Sequence, residues 1–389
     1  MATQFPKLEK AYSFALYDNI DSLPDSWDKL AVANIFLTTG YLSVLEHSAP
    51  ENMQCRFIGI YDGPKLVAAA LSQFLNLNLL ESFGERDRCV KTSVRNFVFK
   101  RFSSHVLFIG NNMLTGQNAF VFAPDADYVA ILKTLKTAAR KLSDDYEKQG
   151  KRVHLVTFKD FSESRSAQFT QAGFTDHLKF STQPNMVLEI RKEWENFDDY
   201  VGSLLKKYRD QFKRARKKSE GLEKRKLDLD DIIQHEETIN ALYHHVARNA
   251  PFNTFFLSDH HFRRLKQHLG DNFLLYGYFD GGKLIGFSTL IKNGNVLDTY
   301  FLGYDESIQR EKMLYLNMLY DMIAFGTNKK FSKIVFARTA LEIKSSVGAQ
   351  PEAMIGYMKH RNSLINSKLD RVFQYMEPKT EWQQRKPFK

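Results

Sequence analysis

The sequence predicts an α/β protein made of two copies of one unit, with a mixed sheet in each half. Two observations carry this. A hairpin pattern occurs twice: Gly59, Tyr61-Asp62-Gly63 and Lys65-Leu66-Val67, then Gly277, Phe279-Asp280-Gly281 and Lys283-Leu284-Ile285. Asp-Gly between alternating apolar residues is the strongest short-range hairpin signal. Any two amphipathic hairpins share that much, but here Lys-Leu-Val/Ile follows each turn at the same spacing. The order of elements around each hairpin also recurs, which points to a duplication of an α/β unit with a mixed sheet.

In the first half, residues 27–48 read as helical, with Trp27, Leu30, Ile35, Tyr41 and Leu45 at helical steps. The hairpin follows, then a long segment at 82–101 with no counterpart in the second half. Val106–Ile109 reads as a strand that ends at Gly110–Gly116. Tyr128–Lys148 is an amphipathic helix, Val153–Phe158 a strand, Ser162–Ala172 a short helix stopped by Gly173, and Met186–Ile190 a strand. In the second half the same reasoning gives a helix over 231–248, the hairpin Phe273–Phe279 and Leu284–Ile291, and a strand Val296–Leu302. A helix Met313–Phe325 and a strand Phe331–Ala337 follow, then Leu341–Tyr357 and a final helix near Leu364–Tyr375. The polar tail from Pro378 is expected to fray. The expected division is 1–192, a basic amphipathic helix and connection over 193–230, and 231–389.

A chain of 389 residues with 43% hydrophobic and 26% charged residues suits two or three globular domains. No apolar run is long enough to cross a membrane, and the first ten residues lack the apolar core of a signal peptide. Cys55 and Cys89 stand alone, which excludes a cysteine zinc cluster and fits a reducing compartment, so a cytoplasmic protein is expected. His235-Glu236 lacks the second histidine of a zinc-protease helix, and His244-His245 and His260-His261 form no ligand pattern, so no metal is expected. The formal net charge is +10, and most of it sits between 206 and 226, where eleven basic residues face three acids. Phe197, Val201, Leu204, Tyr208, Phe212 and Ala215 give this segment one apolar face. Lys207, Arg209, Lys213 and Arg216 lie on the others. Such a face either binds an anionic partner or is a solvated connection between domains.

A hairpin, a third strand, a helix and a fourth strand resemble the GNAT acyltransferase core. Two in tandem look like the Fem-type, peptidoglycan-biosynthesis group of N-acyltransferases. Three stretches carry the likeness: Gln183–Leu188 with Asp198-Asp199-Tyr200 and Lys206–Arg209; Tyr300–Tyr304; and Arg338–Ser345 with Gly348-Ala349. The resemblance implies tandem GNAT-like domains, each a mixed, mostly antiparallel sheet flanked by helices, the first degenerate and on the substrate side. It implies transfer of an acyl or aminoacyl group to an amine. The donor would be acyl-CoA, an acyl-carrier protein or aminoacyl-tRNA, and the acceptor a small molecule or cell-wall precursor bearing anionic groups. Residues 305–312 hold three acids and no glycine where a GNAT pyrophosphate loop would lie, which speaks against plain acetyl-CoA.

Acyl transfer to an amine needs a base, donors for an oxyanion and an acid for the leaving group. Placed on the resemblance, Glu342 is the expected base or amine-positioning group. Arg338 and Lys344 are expected to meet an oxyanion or a substrate carboxylate. Arg338 and Glu342 are also four residues apart and could simply pair. Tyr300 and Tyr304 flank Leu302-Gly303, with Tyr300 an expected acid and Gly303 and Tyr304 expected on the substrate; core packing is the other reading for Tyr300. Tyr357 is a weaker alternative acid. Gly110–Gly116 fits no phosphate loop and reads as a turn lining a cleft. Two alternatives remain open: aminoacyl-tRNA-dependent peptide-bridge synthesis, and a non-catalytic protein that binds anionic cell-wall precursors.

Overall fold

The computed structural model describes residues 11–79, 104–181, 183–249, 253–371 and 382–389. The segment expected at 82–101, Cys89 and the end of the helix expected near 364–375, beyond Arg371, lie outside them. The strands in chain order are β1 (Ser13–Tyr17), β2 (Met53–Asp62), β3 (Lys65–Asn76), β4 (His105–Ile109), β5 (Phe120–Phe122), β6 (Leu155–Ser162) and β7 (Leu178–Ser181). They continue as β8 (Asn185–Glu189), β9 (Glu223–Leu227), β10 (Phe273–Asp280), β11 (Lys283–Asn293), β12 (Val296–Tyr304), β13 (Lys333–Ala337), β14 (Gln350–Glu352) and β15 (Met354–His360).

Both repeated hairpins form as expected, β2–β3 and β10–β11. Gly63 and Gly281 take the left-handed backbone that the tight turn requires, and each pair carries a register shift next to its turn. The first sheet runs β1-β2-β3-β4-β6-β15-β7, with β5 also on β3; the second, read from its far edge, runs β9-β10-β11-β12-β13-β8-β14. The two orders are equivalent. Among the described pairings, each sheet has one parallel pair, β4–β6 and β12–β13, and is otherwise antiparallel.

The equivalence needs an exchange. β8 lies before residue 192 yet pairs with β13 and β14 in the second sheet, and β15 returns from the end of the chain to pair with β6 and β7 in the first. The boundary expected at 192 therefore does not separate the sheets. Hydrophobic periodicity marks a strand without naming its partner. The stretch 341–357 is a short helix, Leu341–Ser346, followed by two strands in different sheets. Tyr357 fixes β15 in place by stacking on Phe169 at 4.3 Å.

The basic segment also differs from one long helix. Leu204 adopts extended backbone, so helices Phe197–Ser203 and Lys206–Lys218 are separate, and the run ends as edge strand β9. The described end of the tail, residues 382–389, is docked rather than frayed. Leu204 bridges Phe388, Leu205 N–H donates to the Pro387 carbonyl at 2.7 Å, and Arg385 reaches Glu342.

Helix Tyr128–Lys148 covers the outer face of the first sheet, and helices Phe197–Ser203, Lys206–Lys218 and Leu314–Asn328 cover that of the second. The inner faces share one apolar core. Phe57, Leu71 and Leu75 from the first sheet and Leu275, Phe287 and Ile291 from the second join residues of helices Thr39–Ser48, Glu236–Asn249 and His261–Leu269. Helix Glu236–Asn249 crosses β12 where Gly303 leaves no room for a side chain. A Cβ there would stand 2.5 Å from the Leu242 carbonyl carbon and 2.6 Å from the Tyr243 nitrogen. Gly303→Ala should therefore destabilise by about 2–3 kcal/mol through overpacking against backbone. Urea unfolding checks this, and an unchanged midpoint would contradict the close crossing.

Candidate active site on the seam between the sheets

β6 and β13 hold equivalent positions, and each bulges beside its exchanged strand. The β6–β15 register shifts opposite Lys159-Asp160, and the β13–β8 register shifts before Ala337. Asp160 (φ 65°) and Ala337 (φ 60°) both take left-handed backbone, as do Thr339 and Ala340. Bulges re-aim side chains, and these two bring Asp160 and Arg338 together. The Asp160 carboxylate, 1% exposed, pairs with the Arg338 guanidinium and, at 2.6 Å, with the Lys159 ammonium. Arg338 Nε also donates to the Gln183 carbonyl at 3.2 Å. Lys159 donates to the Asn111 and Leu114 carbonyls at 2.9 and 3.3 Å, which anchors the Gly110–Gly116 turn on the seam. Burial, then the Arg338 charge, pulls the Lys159 ammonium well below its usual range. Lys344 is also buried, which lowers it to about 7, and it donates to the carbonyls of Ala337 (3.3 Å) and Arg338 (2.5 Å). It staples the strained turn after β13.

From Asn111 the polar chain continues. Asn111 Nδ2 donates to the Tyr41 hydroxyl at 3.2 Å, the Tyr41 and Tyr300 phenols are close enough to influence one another, and His261 Nε2 meets the Tyr300 hydroxyl at 3.0 Å. His261 Nδ1 lies 3.1 Å from Ser48 Oγ. Burial keeps the imidazole neutral down to about pH 4 and holds the Tyr300 phenol well above its usual range, hence protonated.

A second polar chain crosses the seam nearby. Asn34 Nδ2 donates to Asn118 Oδ1 at 2.9 Å, and Asn293, close to Asp298, accepts from the Ile35 N–H at 2.9 Å. Asp298, on β12 two residues before Tyr300, is buried, and burial lifts its carboxyl to about 7. Its Oδ2, and Oδ1 of buried Asn185 on β8, are buried acceptors with no donor. Perturbed, underpaired groups of this kind cluster at reactive sites.

Of the residues expected to act, the structure joins Arg338, Lys344 and Tyr300 to this seam. Glu342 is elsewhere: half exposed, it is held by Arg385 of the tail, with Nε at 3.0 Å. Gly303 serves the helix crossing. Tyr304 packs beside Tyr315, with ring centroids 6.2 Å apart. In the basic helix, Arg216 is bound to Asp321 at 2.8 Å, and Arg209 donates to the Leu204 carbonyl, so both serve packing; Lys207 and Lys213 are exposed. Tyr357 lies in the first sheet, 3.2 Å from Ser166 Oγ. Sequence reasoning missed Lys159, Asp160, His261 and Asp298. A signal existed for two places: Lys159-Asp160 interrupts an apolar strand, and Asp298 interrupts another, where unpaired charge is costly.

The two central helices begin differently, and only the first has a side-chain cap. Asp127 accepts from Val129 and Ala130 N–H at the start of Tyr128–Lys148. Helix Glu306–Lys312, capped by Asp305, occupies the approach to Leu314–Asn328. Among the described residues, no group of three or more His, Cys, Asp or Glu side chains could hold a metal ion, and no helix is long and apolar enough to cross a membrane.

A FemAB-like family model, described by peptidoglycan biosynthesis and recognition, matches residues 19–334. No curated protein sequence matches. Among solved structures, FemX is similar at 10% identity and a TM-score of 0.51, covering 91% of this chain and 98% of its own. A tandem GNAT protein from the clavulanic acid biosynthesis pathway is similar at 11% identity and TM-score 0.50, covering 90% and 99%. A Bacteroides thetaiotaomicron protein of unknown function is similar at 14% identity and TM-score 0.50, covering 89% and 99%. The fold is thus a tandem GNAT fold.

Burial raises the Asp298 carboxyl to about 7 in the folded chain, above the ordinary value of about 4 that it takes when unfolded. The stability of its protonated form is complete below about pH 4 and is lost as pH rises through 7. Asp298→Asn should gain up to about 4 kcal/mol over the wild type at pH 8 and little at pH 4. Denaturant midpoints at the two pH values decide it; equal differences at both would contradict the buried carboxyl.

Proposed function

Because the chain belongs to the FemAB-like family, we propose that it transfers an acyl or aminoacyl group to an amine acceptor in peptidoglycan biosynthesis, at the seam between the two sheets. The observation that carries this is the buried, underpaired Asp298 carboxyl on β12, two residues before the protonated Tyr300 phenol. An attacking amine supplies the N–H donor that Asp298 Oδ2 lacks. In the reading we favour, the amine nitrogen forms a bond to the acyl carbon and its proton passes to Asp298, whose pKa near 7 suits a base at neutral pH. The bond from that carbon to the leaving oxygen or sulfur breaks, and Tyr300 protonates the departing atom. Tyr41 and His261 orient Tyr300. Arg338, held by Asp160, faces the anionic part of the acceptor.

A second reading concerns the donor. Asp127 caps the first central helix, and helix Glu306–Lys312 leads into the second in place of a glycine-rich pyrophosphate loop. This favours aminoacyl-tRNA over acyl-CoA, with the exposed Lys207 and Lys213 toward the RNA backbone.

Mass spectrometry of products from aminoacyl-tRNA or acyl-CoA with a peptidoglycan precursor tests both. Asp298→Asn should lower kcat at least 100-fold while remaining folded, and Tyr300→Phe should lower it about 10- to 100-fold. Full activity in Asp298→Asn would remove the proposed base. Efficient turnover with acyl-CoA alone would remove the donor preference.

A further inference from the structure

A cleft of about 290 Å³ opens on the first sheet, between helix Tyr128–Lys148, the start of β6 and the end of β15. It is not the seam. Its wall is helix Tyr128–Lys148, which packs on the outer face of the first sheet, away from the second. The cleft floor is apolar, from Val153, Val156 and Phe158, while Lys136, Arg140, Lys359 and Arg361 stand around it against the carboxylates of Asp144 and Asp176.

Lys136, Lys359 and Arg361 are held in place, and Arg140 is exposed. Lys136 Nζ donates to the Ala172 and Gly173 carbonyls at 2.9 and 2.7 Å, so two of its three N–H bonds are spent on orientation. Arg361 is braced by Glu147 at 2.5 Å. The Asp176 carboxylate is shared between Lys359 and His177, the latter at 2.7 Å, so one acid serves two donors. His154, in the wall, is kept neutral down to about pH 4, first by burial and then by His105, His360, Arg152 and Arg361. A small concave site with fixed cations in surplus and an apolar floor is built for a compact anion attached to a carbon skeleton.

We propose that this cleft binds the phosphate or pyrophosphate group of a small metabolite, as a site separate from the seam. The exchanged strand β15 supplies Lys359 and leads into Arg361, so the ligand also clamps β15 to the first sheet. Its volume, at the low end for small-molecule pockets, suits a phosphorylated sugar better than a whole nucleotide.

Calorimetric titration of the full chain with inorganic pyrophosphate, at constant ionic strength, tests this. The expected result is saturable one-to-one binding, weakened at least tenfold in Arg140→Gln and further in Arg140→Gln/Arg361→Gln, and unchanged in Lys29→Gln. Arg140 and Lys29 are exposed, so the single variants keep the fold. No saturable binding, an equal loss in Lys29→Gln, or equally tight binding of sulfate would overturn the proposal.

Discussion

β15 leaves the second half of the chain to lie between β6 and β7, and β8 leaves the first half to lie between β13 and β14. Neither sheet can shed its inserted strand without dragging on the other. The inner faces already share one apolar core. The exchange adds a covalent constraint, since the segments entering β8 and leaving β14 both cross the seam. Two sheets of the same order are thereby fixed in one mutual orientation, on which the polar chains of the seam depend.

The bulges on β6 and β13 follow from the same constraint. They occur in equivalent strands, next to the inserted partner, and place one acid and one base where the sheets meet. Burying Asp160 with Lys159 and Arg338 is costly in desolvation, and such groups persist only when firmly held. The Lys344 staple and the carbonyls of Asn111 and Leu114 supply that hold. The same seam carries His261, Tyr41, Tyr300 and Asp298, drawn from both halves of the chain. A transferase needs such a place: shielded from water, with a base and an acid whose protonation is set by burial.

Much of the fold was legible. Asp-Gly turns, the periodicity of Tyr128–Lys148 and the apolar run Val106–Ile109 are local signals, and those elements formed where expected. The strand Asn185–Glu189 was legible as a strand, but its sheet was not, because pairing across the chain leaves no local trace. The site was less legible for a related reason. Arg338 and Lys344 lie in one stretch, so they were found together. Asp160 is far from both in sequence, and only the two bulges connect them. Glu342 shares that stretch with Arg338 and Lys344, yet helix Leu341–Ser346 turns it outward to Arg385 of the docked tail.

The exchanged strands make the two sheets one cooperative body with a single seam. Native-state hydrogen exchange measures this most directly. Amides of β8 and β15 are expected to exchange only through global opening, with free energies agreeing within about 1 kcal/mol. Exchange of either strand through a separate opening several kcal/mol below the global one would contradict it.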